Sequence, residues 1–471
     1  MMNNSSPPVN STSDKEKLDV KTKIAYGAGE LGGAIPNNIL VFFVLFFFTN
    51  VAGLNASLAG SLILIGKAWD AINDPLIGWL SDKTHSRLGR RYPWMLIGAI
   101  PLVISFLLLW TTPPIENQLL RFAYYTIIYI IYYAAVSSVW IPHSTLGAEL
   151  TTTYNERTNL TGFRSAFAIG GSIFALILAQ IILGIFEAPQ SYLYMAAIAG
   201  LIAFLAVYFC VWGTYKRYKI IQNQREKILR RPPEPLLTQI KIALSNKPFL
   251  CVMGIYLCSW LGTQVTAAVL PYFVVDWMQL PKNHFTQMAL AIQGTALILM
   301  PFWSIMGQKI GKKAIYCMGI PGTIIAQAGF FFLQPGQTAL MYILSVMAGI
   351  GISVAYITPY AMLPDVVDLD ELNTGQRREG IFYGFVVQTQ KLCVALAIFL
   401  VGKILDSSGL IPAVATEAPP VQPESALLAI RLIIGPIPTL VLVLGFVIAY
   451  IYPITKSKHE EIVLKIKERR E

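Results

Sequence analysis

Long apolar stretches separated by short polar segments recur along the whole chain. Each stretch is long enough to cross a hydrocarbon layer of about 30 Å as a helix. Twelve spans can be marked, at 31-50, 56-80, 93-112, 119-141, 162-185, 191-213, 249-273, 286-307, 314-333, 338-362, 380-404 and 428-451. The pattern predicts an all-α integral membrane protein with twelve transmembrane helices.

Composition and charge placement support this interpretation. Hydrophobic residues make up 55% of the 471 positions and charged residues only 13%, against about 25% charged residues in soluble domains. Most of the 36 Lys and Arg residues lie in the two tails and in the loops after every second span. Because such residues stay on the cytoplasmic side, both termini are expected in the cytoplasm. The net charge of +10 then reflects anchoring to the lipid bilayer, and nucleic acid is not an expected partner.

The N-terminal tail lacks the basic start, apolar run and cleavage site of a secretory signal. We therefore expect no cleavage and a plasma (inner) membrane location. The five cysteines and four histidines show no disulfide or metal-ligand spacing. No cofactor is expected, and no metal ion other than a possible Na+.

Two internal echoes indicate a duplicated architecture. "GWLSDKTHSRLGRR" follows span two and "GQKIGKK" follows span eight, while "IPHSTLGAEL" ends span four and "TPYAMLPDVV" ends span ten. We predict two pseudo-symmetric six-helix halves with a substrate site between them, in a protein that functions as a monomer. The boundaries are an N-terminal tail at 1-23, halves at 24-214 and 248-453, a central loop at 215-247 and a C-terminal tail at 454-471.

Span two carries unusual charges in "GKAWDAINDPLIGW". Asp70 and Asp74 are four residues apart and share one helix face. Each unpaired charge in mid-membrane costs about 2.5–3.5 kcal/mol, so a cation is expected to neutralise them. Lys67, three positions before Asp70, can reach the same face and is expected to offset part of the charge. The carboxylates form either a hard-oxygen site for Na+ or H+ or only an ion-pair network that stabilises the bundle.

Three further charges lie in or beside spans. Lys391 is in the middle of span eleven, where its side chain cannot easily reach the interface, and it either pairs with the aspartates or forms a plain helix–helix ion pair. Arg164 lies at the start of span five and is either a functional arginine or an interfacial anchor. Glu30 precedes span one and could contact a substrate, carry a proton or pair with a lysine.

The motifs carry a family resemblance over essentially all twelve spans. The G-x-x-x-D-K turn resembles the major facilitator superfamily, and "KAWDAINDPLIGWLSD", "YGAGELGG" and "VQTQKLCVA" resemble the glycoside-pentoside-hexuronide:cation symporters, the sodium:galactoside family. The resemblance implies that Asp70 and Asp74 carry the coupling cation, with Asn73 and Ser137 as accessory ligands. It also implies that Lys391 lies near that site and that Arg164 matches a family arginine.

The predicted substrate residues depart from the family pattern. Galactoside-transporting members hold the sugar with two aspartates and a tryptophan, and the corresponding positions here are Ala34, Trp140 and Ser144. Alanine cannot accept bonds from sugar hydroxyls, although Trp140 could stack on a sugar face. "IPHSTL", "MPFW" and "MLPDVVD" are also similar to the sodium-dependent lysophosphatidylcholine transporters, whose cargo is an amphiphile. The expected cargo is therefore a small organic solute, a sugar or glycoside, or alternatively a lysophospholipid or other amphiphile.

A cation-coupled symporter that works by alternating access explains the spans, the repeat and the charges together. A channel does not need paired halves, and an enzyme would need a nucleophile, a metal cluster or an acid/base pair. The motif G-x-G-x-x-G in "GAGELGG" lacks the βαβ context of a nucleotide site. The basic turns are expected to gate the cytoplasmic face, through Asp82, Lys83, Arg87, Arg90, Arg91, Lys309, Lys312 and Lys313.

Overall fold

The computed structural model describes residues 18–151, 154–224, 241–242, 244–375, 379–411 and 420–470. Its α-helices are α1 Val20–Ala28, α2 Leu31–Asn50, α3 Ala56–Lys83, α4 Tyr92–Leu109, α5 Gln118–Leu150, α6 Tyr154–Ile185, α7 Gln190–Gln224, α8 Lys247–Tyr272, α9 Asn283–Ile310, α10 Lys312–Phe332, α11 Thr338–Thr374, α12 Glu379–Ser407, α13 Glu424–Ile434, α14 Pro436–Ile451 and α15 Lys456–Arg470. A π-helical turn, Phe273–Trp277, continues α8.

Twelve spans follow from these helices. Eleven are long and apolar enough to cross a membrane, and in two of them a pair of helices, α1 with α2 and α13 with α14, makes one span. The twelfth is the 28-residue helix α3, whose middle carries Lys67, Asp70 and Asp74. Over the residues that the structure describes, the prediction of an all-α protein with twelve membrane helices is confirmed.

The two halves repeat one packing scheme. In the first half α5 packs against α3 and α4, and α4 packs against α7. In the second half α11 packs against α9 and α10, and α10 packs against α14. The echoes in the sequence therefore fall on corresponding helices.

The first span differs from its prediction, which placed its start at residue 31. Helical structure begins at Val20 and is interrupted at Gly29 and Glu30 before α2 begins. A Cβ on Gly29 would lie 2.6 Å from His143 Nε2 and 2.8 Å from Cys210 Sγ. The glycine therefore allows side chains of α5 and α7 to reach the interruption.

Two predicted boundaries also shift. Helix α7 continues to Gln224, past the predicted end of the first half at residue 214, because Tyr215 and Tyr218 pack edge-to-face on Tyr92 with ring centroids 5.6 and 5.0 Å apart. The predicted C-terminal tail contains α15, whose Lys456 Nζ donates to the carbonyl of Gln308 at 2.9 Å.

The halves are in direct contact at the end of the bundle where α2 ends and α3 begins. The hydroxyl oxygens of Thr49 on α2 and Tyr272 on α8 are 2.6 Å apart. Helix α3 also crosses α12 at two glycines: a Cβ on Gly402 would lie 2.4 Å from the carbonyl oxygen of Ala56 and 3.1 Å from Gly60 Cα. Backbones at this distance leave no room for side chains.

This crossing generates a test with a control on the same helix. Gly402→Ala should force α3 and α12 apart and destabilise the protein by about 1–3 kcal/mol, the usual cost of overpacking. Gly384→Ala should have little effect, because no atom lies within 4 Å of the added Cβ. Thermal unfolding of both variants in detergent measures the difference. Equal unfolding midpoints would show that the crossing is not tightly packed.

Candidate cation and substrate sites

A cluster of three charged residues, one lysine and two aspartates, joins the two halves. Lys391 on α12 lies with its Nζ 2.8 Å from Asp70 Oδ2, and it also bonds to Asp74 Oδ2. Both aspartates are on α3, separated by one helical turn, and both are buried. The two carboxylates and the ammonium therefore neutralise each other in part, in a region where an isolated charge is costly.

Ser137 on α5 completes this cluster. Its Oγ lies 2.7 Å from Asp74 Oδ1 and 3.3 Å from Asp70 Oδ1. Helix α5 approaches α3 closely here because Gly66 leaves space for the ring of Tyr129, whose Cδ1 would be 2.1 Å from a Cβ at that position. The sequence-predicted residues Asp70, Asp74, Ser137 and Lys391 thus meet at one place.

The structure places two other predicted residues apart from these bonds. The ammonium of Lys67 lies over the ring of Tyr133, 4.8 Å from its centroid. The expectation that Lys67 offsets the aspartate charge is not met in this conformation, because the cross-half Lys391 occupies both carboxylates. Asn73 is buried, but its Nδ2 has no hydrogen-bond partner in the part of the chain that the structure describes.

A second polar cluster surrounds Glu30 at the interruption of the first span. Its Oε2 lies 3.0 Å from Arg164 Nε on α6 and 3.6 Å from His143 Nδ1 on α5. Trp140 Nε1 donates to Oε1 at 3.3 Å. Of the three roles left open for Glu30, pairing with a basic residue is observed, and the partner is an arginine and not a lysine.

A cavity of about 500 Å³ lies between the halves. Helices α2 and α6 line it from the first half, and α8, α9 and α11 line it from the second. Its polar lining consists of side chains from both halves: Glu30, Asn37, Asn38, Ser165, Ser172, Thr263, Gln264, Thr266, Gln293 and Tyr360. The remaining lining is apolar or aromatic and includes Trp260 and Tyr356.

The predicted substrate residues are distributed unevenly around this cavity. Glu30 and Ala34 line it, whereas Trp140 and Ser144 are not among its lining residues. Trp140 is held by Glu30 instead. The Ser144 hydroxyl donates to the carbonyl of Ile141 in its own helix at 2.8 Å, so its bonding capacity is used locally.

A chain of hydrogen bonds connects the cavity with the ion pair. The Tyr256 hydroxyl on α8 lies 3.1 Å from the hydroxyl of Tyr360, which lines the cavity, and 2.7 Å from Gln390 Oε1. Gln390 directly precedes Lys391 on α12. Tyr256 is buried and Tyr360 is exposed to the cavity, so the chain runs from the cavity wall into the packed interior.

The predicted basic turn of the first half contacts acidic partners. Arg91 Nη2 lies 2.5 Å from Asp82 Oδ1 and its Nε lies 3.1 Å from Glu149 Oε1. Arg90 Nη2 lies 2.6 Å from the same Glu149 oxygen. Lys83 lies over the ring of Trp79 at 3.9 Å, and Arg87 is exposed.

The corresponding turn of the second half is built alike. Lys312 Nζ lies 2.6 Å from Asp365 Oδ1, and Lys313 Nζ donates to the carbonyl of Tyr452 at 2.9 Å. Lys309 is exposed. In both turns, the ion pairs that the described residues form stay within one half, so they brace each half and do not join the two.

Several participants were not predicted from the sequence. Glu149 and Asp365 bind predicted basic residues, His143 lies beside Glu30, and Tyr256 connects Tyr360 with Gln390. Glu149 and Asp365 lie within the echoes "IPHSTLGAEL" and "TPYAMLPDVV", where an acidic residue near the end of each stretch, one position apart in the two, was the available signal. His143 and Tyr256 had no such signal, because their roles depend on the packing of distant helices.

Comparisons with known proteins agree with this architecture. Residues 25–456 match the family model described as MFS/sugar transport protein. An uncharacterised symporter of Synechocystis sp. is 42% identical, with 97% of this chain and 98% of the relative covered. The sodium-dependent lysophosphatidylcholine symporter 1-A of Danio rerio is 24% identical, with 95% and 88% covered.

Solved structures show the same fold. The crystal structure of the nucleoside transporter NupG superposes with a TM-score of 0.62 at 13% identity, covering 93% of this chain and all of that one. The matched family model spans nearly all of the membrane helices. The chain is therefore a multi-pass integral membrane protein that belongs to the MFS/sugar transport protein family of the major facilitator superfamily.

Proposed function

We propose that the protein is a cation-coupled symporter that carries Na+ or H+ together with a small organic solute by alternating access. The observation that carries this proposal is the contact of Lys391 with Asp70 and Asp74 across the two halves. A cation that binds the two carboxylates competes with the ammonium for the same oxygens. Cation binding is therefore linked to the contact between the halves.

The donor set suits a hard monovalent cation. Two carboxylates and the Ser137 hydroxyl supply oxygen atoms within one cluster, and oxygen is the ligand that hard cations prefer. Asn73, buried on the same helix, could add its amide oxygen after a small rotation. A proton could bind at the same carboxylates, so the site alone is compatible with either coupling ion.

The solute is proposed to be a sugar or glycoside that binds in the cavity. The cavity has the size of a small-molecule site, and amide side chains such as Gln264 and Gln293 can exchange hydrogen bonds with hydroxyl groups. Trp260 and Tyr356, with ring centroids 5.4 Å apart, offer an aromatic wall for a sugar ring. The family description supports this class of cargo.

A lysophospholipid is the alternative cargo. Ala34 lines the cavity at a position where galactoside-transporting members have an aspartate, and most of the second-half wall is apolar, with Ile292, Leu297, Met300 and Ile352. An acyl chain would bury these surfaces. The relatives include a sodium-dependent lysophosphatidylcholine symporter.

The hydrogen-bond chain through Tyr256 supports a route for coupling. A solute that contacts Tyr360 changes the hydrogen bonding of Tyr256 and hence of Gln390, which positions the backbone next to Lys391. Solute binding in the cavity and cation binding at the carboxylates then both act on the position of the same helix, α12. This is a coupling between two sites through one shared element.

The charge distribution supports a plasma (inner) membrane protein with both termini in the cytoplasm. The basic turns after α3 and α9 then face the cytoplasm, and the contact of Thr49 with Tyr272 closes the outer end. With this orientation, the conformation is one closed to the outside. We propose that it functions as a monomer, without a cofactor.

Removing one carboxylate tests the cation site. Asp70→Asn or Asp74→Asn should reduce cation-driven solute uptake into liposomes to the level of empty vesicles, because an amide does not supply the lost negative charge. Each variant should still fold, since Lys391 keeps one aspartate. Asp406→Asn, which changes an exposed carboxylate on α12, is the control and should transport normally. Undiminished cation-driven uptake by either cluster variant would contradict the proposal.

The coupling route has its own test. Tyr256→Phe removes one hydroxyl and should weaken the effect of saturating Na+ on solute affinity, with a loss on the order of 1–3 kcal/mol of coupling energy. Tyr316→Phe is the matched control, because that hydroxyl bonds to Ser259 at 2.8 Å and lies outside the chain to Gln390. Solute binding is measured with and without Na+ in each variant. If both variants keep full coupling, the route lies elsewhere.

The cargo is tested by ion-gradient-driven uptake of two probe classes. Purified protein in liposomes is offered p-nitrophenyl glycosides and lysophosphatidylcholine under imposed Na+ or H+ gradients. We expect gradient-dependent accumulation of the glycosides, because the cavity presents amide groups from several helices. Accumulation of lysophosphatidylcholine with inert glycosides would instead assign the amphiphile, and accumulation that ignores both gradients would contradict symport.

A further inference from the structure

The cluster around Glu30 has no part in the cation mechanism described above. Its carboxylate lies in the wall of the cavity, at the interruption between α1 and α2, and Glu30 is only 8% exposed. An ionisable side chain at membrane depth that lines a cavity calls for a functional explanation. A role for this cluster in solute binding rests on the proposed transport function.

Among the residues that the structure describes, four titratable side chains on neighbouring helices interact electrostatically with Glu30. They are Tyr26 on α1, His143 on α5, Arg164 on α6 and Cys210 on α7. His143 Nε2 lies 2.9 Å from the carbonyl of Tyr26, and as donor to that oxygen it leaves Nδ1 without a proton when the ring is neutral. In the observed arrangement, Arg164 is therefore the cation that balances the charge of Glu30.

The contact between Glu30 and Arg164 uses only part of the guanidinium. Arg164 Nε lies 3.0 Å from Glu30 Oε2, while Glu30 Oε1 accepts from Trp140 Nε1. A carboxylate or phosphate that engages the guanidinium with two oxygens binds it more strongly than a single contact does. The Arg164 side chain is 30% exposed, so it is accessible to such a group.

We propose that Glu30 is an exchangeable counter-ion of Arg164. Without solute, the Glu30 carboxylate neutralises Arg164; when Glu30 binds a proton, an acidic group of the solute replaces it as the partner of Arg164. The proton comes from the aqueous phase and binds a Glu30 carboxylate oxygen, while the solute's anionic group takes over the guanidinium. The charge of the cluster is the same before and after the exchange. Without the proton, Glu30 would be left as an unpaired carboxylate in the membrane, which is unfavourable.

The proposal names the chemical class of the cargo as a solute with a carboxylate or phosphate group. It also predicts a proton-linked site that is separate from the Na+ or H+ site at Asp70 and Asp74. Two sources of the anion are possible, a sugar acid and an acidic amphiphile. Matched probes that differ only by the acidic group distinguish them.

The experiment measures equilibrium binding to purified protein in saturating Na+, at neutral and mildly acidic pH. The first probe pair is p-nitrophenyl glucuronide with p-nitrophenyl glucoside, and the second is lysophosphatidic acid with monoacylglycerol. In one pair the acidic member should bind roughly 10- to 100-fold more tightly than its neutral partner, as expected for a charge-assisted hydrogen bond. This preference should increase as the pH falls.

Variants assign the effect to residues. Glu30→Gln should bind the acidic probe tightly at both pH values, because the counter-ion is permanently neutral, and Arg164→Gln should lose the preference. Ser144→Ala, which removes a hydroxyl bonded within its own helix, is the control. The proposal is overturned if the acidic probes bind no better than the neutral ones, or if Glu30→Gln keeps the pH dependence of the wild type.

A second measurement needs no solute. Acid titration followed by infrared difference spectroscopy should show the C=O band of a protonated carboxyl group that disappears in Glu30→Gln and persists in Asp70→Asn. If Glu30→Gln does not fold, Trp140→Phe serves instead, since loss of one donor to the carboxylate should move protonation to higher pH. An unchanged titration in Trp140→Phe would overturn the assignment.

Failure of this proposal is distinguishable from failure of the symport proposal. Asp70→Asn should lose the response to Na+ while it keeps the preference for the acidic probe. If the wild type shows the preference but no response to either cation gradient, the symport proposal fails and the counter-ion proposal stands.

Discussion

The structure depends on one electrostatic constraint, the need to neutralise two carboxylates in the middle of helix α3. Asp70 and Asp74 share a helix face, so no rotation of α3 can place one of them in water without moving the other. Lys391 meets them from the opposite half. The contact of Lys391 with the two aspartates therefore neutralises their charge in part. It is also a polar contact that holds α12 against α3, away from the crossing of the two helices at Gly60 and Gly402.

This arrangement separates the cation site from the solute cavity. The carboxylates lie at the contact of α3 with α12, whereas the cavity is lined by α2, α6, α8, α9 and α11. The two places are joined by the hydrogen bonds from Tyr360 through Tyr256 to Gln390. A second charged cluster, Glu30 with Arg164, lies at the cavity wall itself. One charged site is therefore at the cavity, and the other is at the far end of the hydrogen-bond chain, beside Gln390.

The sequence predicts the fold and the cation cluster well, for physical reasons. Twelve apolar stretches can satisfy their backbone groups in a membrane only as helices, and charges within them must find partners, which identifies Asp70, Asp74 and Lys391. Periodicity cannot show which distant helices approach each other. For that reason it gave Lys67 as a neutralising residue, although that side chain lies on Tyr133, and it missed His143 and Tyr256.

The cavity was harder to predict than the cation site. The sequence alone does not distinguish a polar side chain that lines a cavity, such as Gln264, from one that forms a hydrogen bond between two helices. Positions carried over from relatives were only partly informative, since Ala34 lines the cavity while Ser144 bonds within its own helix. The most direct measurement of the central claim is equilibrium binding of radioactive Na+ to the purified wild type and to Lys391→Ala. We expect tighter Na+ binding by Lys391→Ala, because the ammonium that competes for Asp70 and Asp74 is gone. Unchanged affinity would show that Lys391 and the cation do not share the carboxylates, and would contradict the account.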